Sequence, residues 1–233
     1  DVSWACGRGE ILGLIGPNGA GKSTCFEAST HLVPRRGRVY LDEEDISSLP
    51  PGKLFFRGVR RAFQQNAFYG GMTVRENMAA VIQHEFGTPL STAVFLPWVE
   101  ARRRRRAHAR AEELLESFGV AAEFHSCLPA DIPYGVQRML SVAMAYAGGA
   151  KVLLLDEPAA GLGGADMARL TSLLLRLKNE GVALVVIEHH MDLIMSVADR
   201  IVVLDQGRVL ATGTPAEVRE DPRVLDAYLG GVH

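Results

Sequence analysis

The chain has 233 residues, of which 48% are hydrophobic, enough for a sizeable core in one large domain or in one domain with an inserted subdomain. Its formal net charge of -2 gives no basis for a general nucleic-acid-binding surface. No apolar run reaches the roughly 18 residues that a membrane helix needs, no secretory leader is recognisable, and the three widely spaced cysteines suit reduced thiols better than a disulfide or zinc framework.

The chain starts at Asp1 without Met, and we expect a truncated or processed start or a junction with a longer polypeptide.

The first feature along the chain is a glycine-rich loop. An apolar run leads into Gly16-Pro17-Asn18-Gly19-Ala20-Gly21-Lys22-Ser23-Thr24, and the segment that follows can be helical until Pro34. This is the context of a phosphate-binding P-loop, where backbone N–H groups and a helix N-terminus face one anion. We expect Lys22 to reach the terminal phosphates and the Ser23 hydroxyl to hold Mg²⁺.

Short apolar runs, bounded by Gly, Pro or charged residues, predict buried strands. Continuous runs of this kind suit parallel strands that are covered on both faces. A leucine stripe from Met167 to Lys178 predicts a helix, and Asp205-Gln206-Gly207 before Val209–Ala211 predicts a hairpin turn. The alternation predicts an α/β fold with a mostly parallel core sheet and an antiparallel portion. The predicted strands are Glu10 to Ile15, Val39 to Leu41, Val59 to Phe63, Val152 to Leu155, Leu184 to Ile187 and Ile201 to Leu204.

The middle of the chain has a different pattern, with no clear β run between Asn66 and Gly149. One apolar helical face there consists of Ala107, Ala111, Leu114, Leu115 and Phe118. We therefore predict an inserted helical subdomain over residues 66–149, and a core formed by residues 1–65 and 150–233. The run from Arg102 to Arg106 suits the solvated face of the same helix; contact with acidic lipid headgroups or with a partner near the membrane is the alternative.

Two adjacent acids form the second motif. Asp156 and Glu157 follow the apolar run Val152 to Leu155, at the carboxyl end of a strand, where ligands bind in α/β sheets. Strand alternation points the two side chains in different directions. We expect Asp156 to hold Mg²⁺, directly or through water, and Glu157 to face the attacking water.

Three weaker signals follow the same logic. Gln64 ends a predicted strand and is a candidate for Mg²⁺ or for positioning water. His189 ends another strand and lies at the same edge of the sheet. The segment from Pro133 to Arg138 opens a helix whose first N–H groups could bind phosphate. A lone Gln is usually a surface residue and a lone His usually structural, so these gain weight only together with the stronger motifs.

Taken together, the five motifs resemble the nucleotide-binding subunit of ATP-binding-cassette (ABC) transporters over nearly the whole chain. The resemblance implies a P-loop NTPase in which two subunits, identical or different, enclose two ATP molecules head to tail. It implies that Gly16 to Thr24 bind the phosphates, that Ser23, Gln64 and Asp156 serve Mg²⁺, that Glu157 is the general base, and that His189 contacts the γ-phosphate. It further implies that a D-loop spans Ala159 to Gly163, and that the ATP of the opposite subunit is capped by Tyr134, Gly135, Val136 and Gln137.

Finer features are similar to the ATP-binding subunits of branched-chain amino-acid importers. They are the Pro133-Tyr134-Gly135 form of the signature, Glu157-Pro158-Ala159-Ala160-Gly161-Leu162, Ile187-Glu188-His189, and the tail Asp226-Ala227-Tyr228-Leu229-Gly230. This resemblance implies a peripheral ATPase at the cytoplasmic face of a bacterial-type cell membrane. Its partners would be transmembrane permease subunits and, indirectly, a solute-binding protein, with no nucleic acid involved. The resemblance also implies that the transported substrate is a branched-chain amino acid or a related small polar molecule.

Several residues depart from the family pattern. Pro133 lacks the hydroxyl that Ser offers the γ-phosphate, Gly163 and His190 replace acidic or amide residues, and Ser141 and Met144 replace an expected Glu and Arg. The catalytic acids and the P-loop lysine are intact, so we expect hydrolysis. The aromatic residue that stacks on adenine in the superfamily should precede Asp1, and Trp4 reads instead as a core residue.

Three rival functions fit the sequence less well than a transporter subunit does. A DNA-maintenance ATPase of the same superfamily would usually carry a long coiled coil, for which the stretch between Gln64 and Asp156 is short. A non-hydrolytic regulatory module would lack Glu157 or Lys22, and a small-molecule kinase would not need the signature.

For a transporter subunit, the apolar cluster Phe68, Tyr69 and Met72 is the candidate permease contact, with internal packing as the alternative.

Overall fold

The fold was taken from a computed structural model of the chain, which describes residues 1–62, 67–82, 97–147 and 149–229. These residues divide into two compact units: Asp1–Gln64 with Lys151–Gly161 and Leu170–His233, and Gln65–Ala150 with Leu162–Arg169. The limits expected for the inserted subdomain, residues 66–149, remain a prediction.

The first unit is built on a six-stranded sheet. Its strands are β1 (Ile11–Ile15), β4 (Val59–Ala62), β5 (Val152–Asp156), β6 (Ala183–Ile187), β7 (Arg200–Asp205) and β8 (Arg208–Gly213). Their order is β4-β5-β6-β1-β7-β8, and all neighbours are parallel except β7 and β8. The predicted α/β fold with an antiparallel portion is confirmed.

The central strand β1 explains why this sheet is stable. All five of its residues are fully buried, between β6 on one side and β7 on the other. Burying each large aliphatic side chain contributes about 1.5–3 kcal/mol, so the apolar run that identified β1 in the sequence also anchors the sheet. Trp4 packs partly buried against the same core, as predicted, and its Nε1 donates to Cys25 Sγ at 3.2 Å.

A hairpin, a two-stranded ribbon and several helices accompany the sheet in the first unit. The hairpin between β7 and β8 turns at Gln206 and Gly207, whose φ angles of 44° and 74° match a type I′ turn, as predicted. Residues 39–41 were expected to form a buried strand. A strand does form at Tyr40–Leu41 (β2), but the expected burial is wrong: in the described part of the chain it pairs with Glu44–Asp45 (β3), and Tyr40 is exposed. The helices are α1 (Lys22–Ser29), α2 (Pro51–Phe56), α7 (Met191–Val197), α8 (Pro215–Glu220) and α9 (Pro222–Leu229).

The second unit is helical in its described part. It contains α3 (Val74–Ile82), α4 (Pro97–Ser117) and α5 (Tyr134–Tyr146), and α6 (Gly164–Asn179) begins in it. The predicted apolar face of α4, from Ala107 to Phe118, is buried. Four arginines of the Arg102–Arg106 run are exposed and Arg103 is half-buried, so the run is largely solvated, as the first interpretation held.

Candidate functional site

The loop after β1 has a backbone that only glycine accepts at its start. Gly16 has a φ of 151°, and a Cβ there would lie 2.1 Å from the carbonyl oxygen of Leu204. Gly19 and Gly21 have φ angles of 82° and 94°, in the left-handed region. Gly21 is also the N-cap of α1 and supplies no side-chain cap, so the first N–H groups of α1 remain available to an anion.

Lys22 lies inside this loop. Its Nζ donates to the carbonyl oxygens of Gly16 at 2.7 Å and Pro17 at 3.0 Å. Burial lowers the pKa of Lys22, and the nearby charges of Glu157 and Asp156 oppose that shift. The P-loop lysine and both acids thus share one electrostatic environment. The Ser23 and Thr24 side chains are exposed in the first turn of α1.

Asp156 ends β5 as a buried carboxylate. Its Oδ2 accepts a hydrogen bond from Arg61 Nη2 at 2.7 Å, and the two side chains are 7% and 10% exposed. Arg61 lies on the neighbouring parallel strand β4. Sequence reasoning did not single out Arg61, because nothing in the local pattern ties it to an acid 95 residues away.

Glu157 follows immediately in a strained conformation. Its φ is 48°, which is uncommon for a residue with a side chain and costs on the order of 1–3 kcal/mol. Its N–H donates to Ile187 O at 2.9 Å. Its Oε1 lies 2.8 Å from His189 Nε2. The residue predicted to be the general base therefore contacts the residue predicted to bind the γ-phosphate.

Sequence reasoning recognised the Ile187-Glu188-His189 segment but assigned no role to Glu188. Glu188 is 2% exposed. Its Oε1 accepts from the Ala159 N–H at 2.6 Å, and its Oε2 accepts from the N–H groups of His189 at 3.0 Å and His190 at 3.2 Å. The buried carboxylate therefore joins the start of the predicted D-loop to the His189 segment.

The signature residues belong to the second unit. Tyr134 is exposed, Gln137 is half-buried, and Gly135 and Val136 are buried. A Cβ at Gly135 would lie 2.2 Å from Asp166 Oδ2, so the Asp166 carboxylate closely covers this glycine. Pro133 is the N-cap of α5 and makes no side-chain hydrogen bond to the first turn of the helix.

The donors present suit magnesium. The Asp156 carboxylate and the Ser23 hydroxyl are hard oxygen ligands of the kind Mg²⁺ prefers, whereas Gln64 lies outside the described residues. No group of three or more His, Cys, Asp or Glu side chains in the described ranges forms a metal site of another type.

No helix of the described ranges combines the length and apolar composition needed to cross a bilayer.

Comparison with known proteins identifies the family of the chain. The family model "ABC transporter" matches residues 1–160, and the model "Branched-chain amino acid ATP-binding cassette transporter" matches residues 208–233. The "High-affinity branched-chain amino acid transport ATP-binding protein BraF" of Pseudomonas aeruginosa is 38% identical over 95% of this chain and 87% of its own.

Solved structures show the same fold. The ADP conformation of MJ1267, an ATP-binding cassette of an ABC transporter, aligns with a TM-score of 0.82 at 27% identity, over 98% of this chain and 91% of that one. The dimeric structure of MJ0796, a bacterial ABC transporter cassette, aligns with a TM-score of 0.76 at 25% identity, over 92% of this chain and 89% of that one. The chain belongs to the ATP-binding cassette family of ABC transporters and is a P-loop ATPase.

Proposed function

We propose that this chain is the ATPase subunit of an importer for branched-chain amino acids or related small polar solutes. The observation that carries this proposal is the meeting of Lys22, Asp156, Glu157 and His189 at the carboxyl edge of one sheet, with Glu157 and His189 2.8 Å apart. The relative BraF and the family model over residues 208–233 support the choice of cargo.

Within one subunit, the proposed roles follow from position. The N–H groups from Gly16 to Thr24 and the Lys22 ammonium bind the phosphates of ATP. Mg²⁺, held by Ser23, Asp156 and Gln64, would neutralise charge that develops on the phosphates. Glu157 accepts the proton of the attacking water, and His189 holds the Glu157 carboxylate through the 2.8 Å contact while it faces the γ-phosphate.

A second copy, or a related ATP-binding subunit, completes the pocket with Tyr134, Gly135, Val136 and Gln137. ATP then favours the closed dimer because it contacts both subunits only in that state, and a ligand shifts an equilibrium by its difference in affinity for the two states. Hydrolysis removes that preference. The dimeric structure of the related cassette MJ0796 supports this arrangement.

The loop before α3 supplies the proposed contact with a membrane permease. Tyr69 and Met72 are 59% and 41% exposed, and Phe68 is half-buried. Asn77 is fully buried beneath the loop and bonds to it four times: Oδ1 accepts from Tyr69 N, and Nδ2 donates to the carbonyls of Tyr69, Met72 and Thr73. A fixed loop that exposes apolar side chains suits a protein partner. It supports the proposal of a peripheral subunit at the cytoplasmic face of the membrane.

The test uses the chain together with the permease genes of its own transporter. Cells that express both should accumulate labelled leucine in an ATP-dependent way, and Lys22→Ala should abolish uptake and ATP hydrolysis. Lys53→Ala is the matched control, since Lys53 is an exposed lysine on α2. Undiminished hydrolysis in the Lys22 variant would refute the assigned P-loop role. ATP hydrolysis without uptake of any branched-chain amino acid would refute branched-chain amino acids as the cargo.

A further inference from the structure

The Arg61–Asp156 pair is a buried ion pair at the proposed metal site. Arg61 Nη2 lies 2.7 Å from Asp156 Oδ2, and at most a tenth of either side chain is exposed. An ionised carboxylate at this depth requires a counter-charge, because burial in a medium of low polarity penalises an isolated charge. Arg61 supplies that counter-charge from the adjacent parallel strand β4.

The neighbouring arginine shows that this pairing is specific to Arg61. Arg60 is also buried on β4, and its guanidinium carbon lies 3.3 Å above the centre of the Phe55 ring. Successive strand residues point to opposite faces of a sheet, so Arg60 serves packing on one face while Arg61 faces the acid. The two residues form a natural pair for comparison.

We propose that Arg61 is the resident counter-ion of Asp156 and competes with the divalent cation for that carboxylate. This inference rests on the proposed function, in which Asp156 holds Mg²⁺. A cation that enters beside Asp156 meets a carboxylate whose charge is already matched by a guanidinium, and it is repelled by that guanidinium. Arg61 therefore makes the metal-free site stable and lowers its metal affinity, which favours release of the metal with the products.

The decisive measurement is metal affinity, separate from turnover. Mn²⁺ is titrated into the full chain with a non-hydrolysable ATP analogue, and free Mn²⁺ is read by its electron paramagnetic resonance signal. Arg61→Gln removes the positive charge but keeps an N–H donor toward Asp156. Removing a unit charge several ångströms from a divalent ion should tighten Mn²⁺ binding by about tenfold. A merely structural role would weaken binding instead.

Three further variants complete the test. Arg61→Lys keeps the charge and should leave Mn²⁺ affinity within about threefold of the parent. Arg60→Gln is the matched control and should not tighten Mn²⁺ binding. Asp156→Asn should weaken binding. Adding Arg61→Gln to Asp156→Asn should tighten it by less than Arg61→Gln does in the parent, because only the direct repulsion remains once the shared carboxylate is gone.

Thermal stability gives a second readout. Without metal and nucleotide, Arg61→Gln should lower Tm by at least about 3 °C, since it leaves a buried carboxylate without its counter-charge. Mn²⁺ with the nucleotide analogue should reduce that difference for Arg61→Gln and leave the difference for Arg60→Gln unchanged.

The possible outcomes distinguish the counter-ion role of Arg61 from the proposed role of Asp156 as a metal ligand. Unchanged or weaker Mn²⁺ binding in Arg61→Gln, with weaker binding in Asp156→Asn, overturns the counter-ion role and leaves the metal site intact. Unchanged Mn²⁺ binding in Asp156→Asn overturns both the counter-ion role and the proposed metal ligand. Tighter binding in Arg61→Gln, with a smaller gain in the double variant, supports the competition.

Discussion

Glu188 Oε1 accepts a hydrogen bond from the Ala159 N–H at 2.6 Å, across 29 residues of chain. The other carboxylate oxygen accepts from the two N–H groups that follow Glu188 itself. One buried anion thus fixes the segment after Glu157 and the segment that carries His189. The short contact between Glu157 and His189 depends on both segments, so Glu188 supports the catalytic pair without touching it.

This relationship predicts the behaviour of Glu188→Gln. The substitution places an amide NH₂ where an acceptor is required, and hydrogen bonds to a charged group are worth about 1.5–3 kcal/mol. We expect the free energy of unfolding to fall by about 2 kcal/mol in urea titration and the ATP turnover number to fall by about tenfold. Glu220→Gln, on the exposed end of α8, is the control and should change stability by less than about 0.5 kcal/mol. Equal stability of the two variants would refute the anchoring role.

A second prediction concerns Glu157 itself. Glu157→Gln keeps the side-chain shape but removes the base, and general-base catalysis contributes about 10²- to 10⁴-fold. We expect hydrolysis to fall at least about 100-fold while ATP is still bound, so an ATP-bound dimer should accumulate in gel filtration with Mg²⁺. Glu43→Gln is a suitable control, because Glu43 is an exposed glutamate with a positive φ of 69°.

Two separate results would contradict this prediction. Undiminished hydrolysis would show that Glu157 is not the base, and a monomeric profile at high protein concentration would count against the sandwich dimer.

Sequence reasoning predicted the elements whose signals are local. The P-loop, the acids after β5 and the hairpin at Gln206 were read from contiguous residues, because turn chemistry and strand burial act over a few positions. Glu188 and Arg61 were not found, since their roles depend on partners far along the chain that only the folded sheet brings near. The strand expected at residues 39–41 forms at Tyr40–Leu41, but its expected burial is wrong, because a short apolar run does not reveal whether other elements cover it.

The P-loop glycines give a third prediction, in which two positions of one loop behave differently. At Gly16 an added Cβ would meet the Leu204 carbonyl oxygen at 2.1 Å, whereas at Gly19 nothing lies within 4 Å. Both residues have positive φ, so alanine strains the backbone at either position.

We expect Gly16→Ala to shift the loop and to weaken binding of a fluorescent ATP analogue by at least about tenfold, because misplaced N–H groups no longer converge on the phosphates. Gly19→Ala should cost only the backbone strain, about 1 kcal/mol of stability. Equal ATP affinity in the two variants would show that close packing against Leu204 does not shape the phosphate site.

The last prediction tests the loop that Asn77 holds. Asn77→Ala removes four hydrogen bonds from a fully buried side chain and leaves the partner groups of the loop unpaired. We expect the free energy of unfolding to fall by about 2–3 kcal/mol, and copurification of the permease to fall because Tyr69 and Met72 are no longer held in one position. Tyr69→Ser with Met72→Ser should reduce copurification without a comparable loss of stability, since both side chains are exposed. If the double serine variant retains the permease as well as the parent does, then the docking surface lies elsewhere on the subunit.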